Sequence, residues 1–135
     1  MARILIVDDR APSRELVRIM LESFGHEVVE ASGGREGIVA ALEAKPDLVL
    51  LDLVMPEFDG FATLAEFKKE PHLASTPVVA LTASAMKTDH ARVLDAGFSA
   101  YITKPVFLHD FSQQISRLLE SRRLSDQPTK FAASN

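Results

Sequence analysis

The sequence predicts an α/β fold in which a parallel sheet of five strands is covered by helices on both faces. Short runs of aliphatic and β-branched residues alternate with longer segments whose apolar residues recur at helical spacing. Two of the short runs, 4–7 and 48–51, are apolar at every position, which is typical of strands buried on both faces. Repeated strand–helix units with short connections therefore predict a doubly wound sheet.

The elements follow one another in a regular order. The apolar runs place the five strands at 3–7, 27–31, 47–51, 77–81 and 100–103. A helix follows each strand, and helical spacing is shown by Leu16, Met20 and Phe24 in the first helix and by Phe111 and Ile115 in the last. The segment 87–96 carries the weakest helical pattern of the five.

Proline and glycine stand where this reading requires a break. Pro12 suits the first turn of a helix, and Gly25 and Gly97 suit the ends of helices. Pro46 and Pro77 lie just before or at the starts of strands.

Length and composition indicate one domain with a single core. The chain has 135 residues, of which 47% are hydrophobic, and one domain is expected at this length. We place the domain at 1–120 and a polar C-terminal tail or linker at 121–135, because the helical period fades after Leu119. So short a tail leaves no room for an output domain, and the chain is expected to be either a stand-alone protein or a piece of a longer one.

Charge and cysteine content exclude several classes of function. Nineteen acidic side chains against fifteen Lys and Arg give a net charge of −4, which argues against direct nucleic-acid binding. The absence of cysteine excludes disulfides and thiolate metal sites and favours the cytoplasm. Neither a membrane span of about 18 apolar residues nor a signal-peptide core is recognisable.

Acidic residues collect where the predicted strands end. Asp8 and Asp9 follow the first strand, Asp52 the third, Thr82 the fourth, and Lys104 the fifth. The carboxyl ends of parallel strands share one edge of the sheet, which is where ligands bind in open α/β folds. Two unit charges 4 Å apart at an effective dielectric of 20 interact by about 4 kcal/mol, so three carboxylates there require a cation.

The oxygen-only donor set favours Mg²⁺. Zinc is disfavoured, because the four histidines, His26, His72, His90 and His109, lie apart without ligand spacing and are expected to be solvated.

Each of these residues also has a structural reading. Asp8 and Asp9 are acceptable helix caps, Thr82 is an acceptable strand-end hydroxyl, and Lys104 alone is typical of a surface charge. Asp52 is harder to explain in this way, because it interrupts an apolar run from residue 48 to residue 55. We expect Asp59, just before a helix, to be a cap rather than a ligand.

With these positions assembled, the sequence resembles the receiver domains of two-component response regulators over about residues 3–119. The stretch 52–60, DLVMPEFDG, fits the phosphoacceptor motif of the family at its Asp, Met-Pro and Asp-Gly positions. The segments 6–9, 80–83 and 97–105 resemble the acidic pair, the hydroxyl position and the terminal Lys-Pro signature. The family's fold is flavodoxin-like, with strand order 2-1-3-4-5 and five helices on two faces.

The resemblance implies a role for each matching residue. Asp52 would accept a phosphoryl group from the phosphohistidine of a sensor kinase or phosphotransfer protein. Asp9, Asp52 and the main-chain carbonyl of Val54 would bind Mg²⁺, with Asp8 acting through water. Thr82 and Lys104 would contact the phosphoryl oxygens, and Gly60 and Pro105 would have structural roles, with a cis bond between Lys104 and Pro105.

The implied function is a signalling switch rather than an enzyme with a separate substrate. In the family, movement of the hydroxyl residue makes room for an aromatic side chain on the fifth strand, and Tyr101 holds that position. The face formed by the fourth helix, fifth strand and fifth helix is expected to bind a downstream protein. The chain is expected to be a monomer or a phosphorylation-dependent dimer.

Three other readings stay open at this point. A phosphatase of the haloacid-dehalogenase type also uses a strand-end aspartate, but its two acids are separated by one residue, whereas Asp8 and Asp9 are adjacent. A nucleotide or flavin carrier would place glycines, not acids, after the first strand, and the stretch 32–37 is an incomplete phosphate-binding motif. A pseudo-receiver that never becomes phosphorylated would not need the full set of acids.

Overall fold

Five strands and five helices alternate along the chain in the computed structural model, which describes residues 2–53, 55, 59–82, 87–104 and 107–125. The strands are β1 (Arg3–Val7), β2 (Glu27–Ala31), β3 (Leu48–Asp52), β4 (Val78–Thr82) and β5 (Ala100–Thr103). The helices are α1 (Ala11–Ser23), α2 (Gly34–Ala44), α3 (Gly60–Lys69), α4 (Lys87–Ala96) and α5 (Leu108–Ser125).

The strands form one parallel sheet in the order β2-β1-β3-β4-β5, which confirms the expected fold class and strand order. Three strands have the predicted bounds, whereas β3 and β4 begin and end one residue later than predicted. The difference arises because the ladder includes Asp52, whose register partner is Leu81, and Thr82, whose partner is Thr103. Asp52 and Thr82 are therefore the last residues of their strands.

The core consists of two layers, one on each face of the sheet. Leu5 and Val7 of β1 pack with buried residues of α2, α3 and α4, whereas Ile4 and Ile6 pack with buried residues of α1 and α5. The residues of β3 and β4 alternate between the layers in the same way. This alternation explains why the runs 4–7, 48–51 and 78–81 are apolar at every position, because both faces of these strands are buried.

The ends of the helices follow the predicted breakers. Pro12 lies in the first turn of α1, where its missing N–H costs no helical hydrogen bond. Gly25 and Gly97 have φ angles of 90° and 112°, which glycine adopts readily, and they follow the ends of α1 and α4. Lys45, which caps α2, is the non-glycine residue with positive φ within the described part of the chain.

The last helix is longer than the periodicity indicates. α5 continues past Glu120 to Ser125, so part of the segment predicted to be a tail is helical. The domain boundary at residue 120 stays a prediction, and the rest of the predicted tail, 126–135, lies outside the described residues.

Among the described residues, no helix combines the length and the hydropathy needed to cross a bilayer.

Candidate functional site

Three carboxylates meet at the carboxyl edge of the sheet, as the strand ends predict. Asp8, Asp9 and Asp52 each offer an oxygen within 4.8 Å of the others. Asp8 and Asp52 are buried, with Asp8 wholly so and Asp52 6% exposed, whereas Asp9 is exposed. The site is therefore an acidic cluster in which two carboxylates are buried and the third, that of Asp9, is open to solvent.

The loop after β1 holds Asp8 by its backbone and its side chain. The Asp8 amide donates to the carbonyl of Ala31 at 3.1 Å, which continues the pairing of β1 with β2. Asp8 Oδ1 accepts from the backbone N–H of Arg10 at 2.9 Å, and the Asp8 carbonyl accepts from Arg14 Nη1 at 2.7 Å. The direction of this carboxylate is thus set by hydrogen bonds rather than by packing alone.

Asp52 is positioned by the end of β3 and by the start of α3. The N–H of Leu53 donates to the carbonyl of Leu81 at 3.2 Å, and the N–H of Gly60 donates to the carbonyl of Leu53 at 3.1 Å. A Cβ atom at Gly60 would lie only 2.8 Å from the carbonyl oxygen of Asp52 and 2.8 Å from Leu53 Cα. Glycine at this position therefore lets α3 begin directly against the backbone of the phosphoacceptor candidate.

Lys104 brings a positive charge to the cluster from the end of β5. Its Nζ lies 3.5 Å from Asp8 Oδ2 and 3.5 Å from Asp52 Oδ2, and the side chain is partly buried. Both distances exceed the 2.7–2.9 Å typical of a charge-assisted hydrogen bond. The ammonium is thus shared between two carboxylates rather than paired tightly with either.

Thr82 reaches the same edge as the last residue of β4. Its residue position is buried, and its carbonyl accepts from the N–H of Lys104 at 2.7 Å. This bond ties the strand end that carries the hydroxyl to the residue that carries the ammonium.

The pKa of the Asp8 carboxyl reflects both its burial and the charged and polar groups around it. Burial raises the pKa of the Asp8 carboxyl, but hydrogen bonds from the Arg10 N–H and the Ser13 hydroxyl, together with the Lys104 charge, outweigh burial. The net effect holds this pKa below its ordinary value of 3.8. Asp8 is therefore ionised at neutral pH although it is buried.

The donor set fits a hard divalent cation. Among the residues that the structure describes, one ammonium stands against three carboxylates, so the cluster carries an excess of negative charge. The candidate ligand atoms of this cluster are carboxylate oxygens. Asp8, Asp9 and Asp52 are the residues that would hold Mg²⁺.

The prediction that Asp59 caps a helix is confirmed. Asp59 is the N-cap of α3, because its Oδ1 accepts from the Ala62 N–H at 2.9 Å.

The histidines were predicted to be solvated. His72 and His109 are exposed as expected. His26 differs, because it is half-buried and its Nδ1 accepts from the Ala2 N–H at 3.2 Å. Val54 and Pro105, the predicted carbonyl ligand and the predicted cis proline, lie outside the described residues, as does the side chain of His90.

Sequence reasoning missed two residues of α1 that reach the site. Ser13 Oγ accepts from Lys104 Nζ at 3.1 Å, and Arg14 joins the Asp8 carbonyl to Glu30 Oε1 of β2, the latter at 3.0 Å from its Nε. Pro12 predicts a helix start beside the acids, but which side chains of that turn face inward depends on how α1 lies on the sheet.

Comparison with known protein families supports the same reading. The family model of the response regulator receiver domain matches residues 4–116. Protein PilH of Pseudomonas aeruginosa is 40% identical over 106 residues, in a match that covers 78% of this chain and 88% of PilH. The polar-differentiation response regulator DivK of Brucella anthropi is 35% identical over 116 residues, covering 86% of this chain and 94% of DivK.

One similar solved structure contains a magnesium ion. The receiver domain of the sensor histidine kinase PA1611 from Pseudomonas aeruginosa superposes with a TM-score of 0.81 at 27% identity, covering 88% of this chain and 98% of that one. That structure has a magnesium ion coordinated in its active site cleft.

Proposed function

The chain belongs to the response regulator receiver domain family of two-component signalling, and on that premise we propose that Asp52 is its phosphoacceptor. The observation that carries the proposal is the cluster itself: a buried strand-end carboxylate stands beside two further carboxylates and a shared ammonium. Phosphohistidine on a sensor kinase or a phosphotransfer protein is the proposed donor.

The proposed step is a displacement at phosphorus. A carboxylate oxygen of Asp52 forms a bond to phosphorus while the bond from phosphorus to the donor imidazole nitrogen breaks, and that nitrogen keeps the electron pair. The attacking group in this step is a carboxylate, which has no proton to lose, so no general base is needed. Hydrolysis later returns the carboxylate when water attacks the phosphorus and inorganic phosphate leaves.

The chain's own groups manage the charge of this step. The transferred group spreads its charge over three equatorial oxygens, so positioning and neutralisation dominate catalysis. Mg²⁺, held by Asp8, Asp9 and Asp52, would neutralise phosphoryl oxygens when bound. Lys104 supplies the second positive charge, and Thr82 supplies a hydroxyl donor at the end of the neighbouring strand.

We propose a switch and not a turnover enzyme, because the accepting atom belongs to the protein. Charge-assisted hydrogen bonds from Thr82 and Lys104 contribute about 1.5–3 kcal/mol each. Reversing a two-state equilibrium from 1:99 to 99:1 requires about 5.5 kcal/mol, so partner binding is expected to complete the shift. A cytoplasmic location, expected from the lack of cysteine, stays a prediction.

The test of the phosphoacceptor uses a small acyl phosphate with Mg²⁺ and intact-protein mass spectrometry. The wild-type chain is expected to gain one phosphate, Asp52→Asn none, and the exposed-residue control Asp95→Asn one. Chelation of the metal is expected to abolish the adduct. An adduct on both wild type and Asp52→Asn, or on neither, would contradict the proposal, and steady release of phosphate at catalytic rates would favour a phosphatase instead.

We further propose that α4, β5 and α5 form the output face. Two grooves of about 200 and 190 Å³ run along β5 and α5, and both are lined by Tyr101, Ile102 and Gln114. Tyr101 also packs against the core layer that contains Val93 of α4. A residue that packs against this layer and also lines the grooves is suited to transmit a change between them.

Tyr101→Ala tests this face. The variant is expected to accept phosphate as wild type does but to lose phosphorylation-dependent binding of a downstream protein. Val39→Ala, on the exposed side of α2 and outside this face, is the matched control and is expected to keep that binding. Normal signalling by Tyr101→Ala would remove Tyr101 from the mechanism.

A further inference from the structure

The side chain of Ser13 is directed at the site rather than at its own helix. Ser13 lies in the first turn of α1, whose N-cap residue Arg10 makes no side-chain capping bond. Serine near a helix start commonly bonds the local backbone. Here the hydroxyl oxygen instead accepts from Lys104 Nζ at 3.1 Å, across 91 positions of sequence.

This contact adds a third partner to the Lys104 ammonium. An ammonium has three N–H donors, and within the described part of the chain three oxygens lie near this one: Ser13 Oγ at 3.1 Å, Asp8 Oδ2 at 3.5 Å and Asp52 Oδ2 at 3.5 Å. The neutral hydroxyl is the closest of the three. The ammonium is therefore held off both carboxylates, at distances beyond a tight ion pair.

We propose that Ser13 is a positioning residue for phosphoryl transfer, whose hydroxyl holds the Lys104 ammonium between Asp8 and Asp52. This inference rests on the proposed function of Asp52. Transition-state charge is stabilised best by groups that are already in place and need no rearrangement. Without Ser13, only Asp8 would hold the ammonium once Asp52 bonds to phosphorus, so the ammonium would be less well placed for a phosphoryl oxygen.

The contact with Ser13 persists while the phosphoryl group is transferred. When a phosphoryl oxygen becomes a new partner of Lys104, the contact with Asp52 is the one that weakens, because Asp52 forms the bond to phosphorus. Giving up Asp8 instead would leave a buried carboxylate with less compensation. Ser13 thus still holds the ammonium in the transition state.

The first experiment measures the phosphorylation rate against the concentration of a small acyl phosphate at saturating Mg²⁺. Ser13→Ala is expected to lower the maximal rate by about threefold to tenfold, the effect of losing one hydrogen bond. The half-saturating donor concentration is expected to stay the same, because the interaction acts in the transition state. Ser13→Thr keeps a hydroxyl and is expected to restore the rate.

The matched control is Ser23→Ala. Ser23 lies at the other end of α1, and its hydroxyl donates to the carbonyl of Met20 at 2.6 Å. This control is expected to leave the rate unchanged.

The second experiment is independent of metal and donor. Nuclear magnetic resonance of the lysine side-chain methylenes identifies the Lys104 signal by its loss in Lys104→Arg. In Ser13→Ala this signal is expected to move toward those of exposed lysines, and in Ser13→Thr it is expected to stay. A role in folding alone would lower stability without moving this signal selectively.

An unchanged Lys104 signal in Ser13→Ala would overturn the inference, whether or not the rate falls. So would an unchanged maximal rate, or a loss that appears only as a higher half-saturating concentration. If the wild-type chain takes up no phosphate at all, the proposed function fails and this role fails with it. The Lys104 signal is measured without phosphorylation. It therefore shows whether Ser13 contacts Lys104 even if Asp52 proves not to accept phosphate.

Discussion

Asp59 and Gly60 position the start of α3 next to Asp52, although neither residue belongs to the acidic cluster. The carboxylate of Asp59 caps α3, and Gly60 brings the first turn of that helix onto the backbone of Asp52. The cap was predictable from the residue type and its place before a helix. The close approach of α3 to the backbone of Asp52 was not predictable. The sequence motif identifies Gly60, but it does not show that a Cβ atom there would collide with backbone atoms at the end of β3.

Gly60→Ala is expected to lower the free energy of unfolding by about 1–3 kcal/mol, since the added methyl meets backbone atoms that move only with their strand. Denaturant unfolding measures the loss. Phosphate uptake at Asp52 is also expected to slow, because relief of the clash shifts the carboxylate.

Gly33→Ala is the comparison for this prediction. Its added methyl would meet the end of the Glu36 side chain, which can rotate away. A larger loss of stability in Gly33→Ala than in Gly60→Ala would contradict the packing argument.

Side-chain contacts lie at both ends of the junction between α1 and its neighbour β2. At the site end, Arg14 and Arg18 of α1 both pair with Glu30 of β2, the edge strand of the sheet. At the opposite end, His26 of the connecting turn accepts a hydrogen bond from the residue before β1. The elements themselves were predictable from periodicity, but these ties depend on which strands are neighbours.

His26 makes the stability of this junction depend on pH. Burial, and then the charge of the amino terminus, lower the pKa of His26 below 6.5. The unfolded chain therefore binds more protons than the folded chain between the two pKa values, so the contribution of His26 is complete above pH 6.5 and is lost as pH falls through the folded pKa.

The check compares unfolding free energies at about pH 7.5 and about pH 5.5. His26→Asn retains an acceptor but does not titrate, so its stability is expected to fall less on acidification than that of wild type. His72→Asn, at an exposed position, is the control and is expected to follow wild type. Equal acid sensitivity of wild type and His26→Asn would count against this role of His26.

At the scale of the whole molecule, the sheet separates two core layers, and each layer depends on a different set of helices. Phe111 of α5 is a principal side chain of the α1–α5 layer and packs against Phe24 with ring centroids 6.1 Å apart. Phe107, just before α5, is 67% exposed and lines one of the grooves. Two phenylalanines four positions apart thus have opposite environments.

Phe111→Ala is expected to lower the free energy of unfolding by about 3–5 kcal/mol, a large part of the 5–15 kcal/mol typical of whole proteins. Phe107→Ala is expected to change stability little and to weaken binding of a downstream protein instead. Thermal or denaturant unfolding of the two variants measures the contrast. Similar losses of stability in Phe111→Ala and Phe107→Ala would show that Phe107 belongs to the core and not to the binding face.

The sequence by itself determined the order of the elements, the strand topology through the family motifs, and the set of residues at the strand ends. It did so because apolar periodicity reports local geometry, and because parallel strands must bring their carboxyl ends to one edge of the sheet. The spacing of the strands therefore predicts that three acids, a hydroxyl and an ammonium lie at the same edge of the sheet.

Only the tertiary structure decided how those groups share their charges. Whether Lys104 pairs with one carboxylate or lies between two depends on Ser13, which reaches it from a helix 91 positions away. The helical pattern shows that α1 begins beside the acids, but the rotation of α1 on the sheet selects the side chain that faces them. That rotation is set by packing across the α1–α5 layer, and contacts between distant segments leave no periodic trace in the sequence.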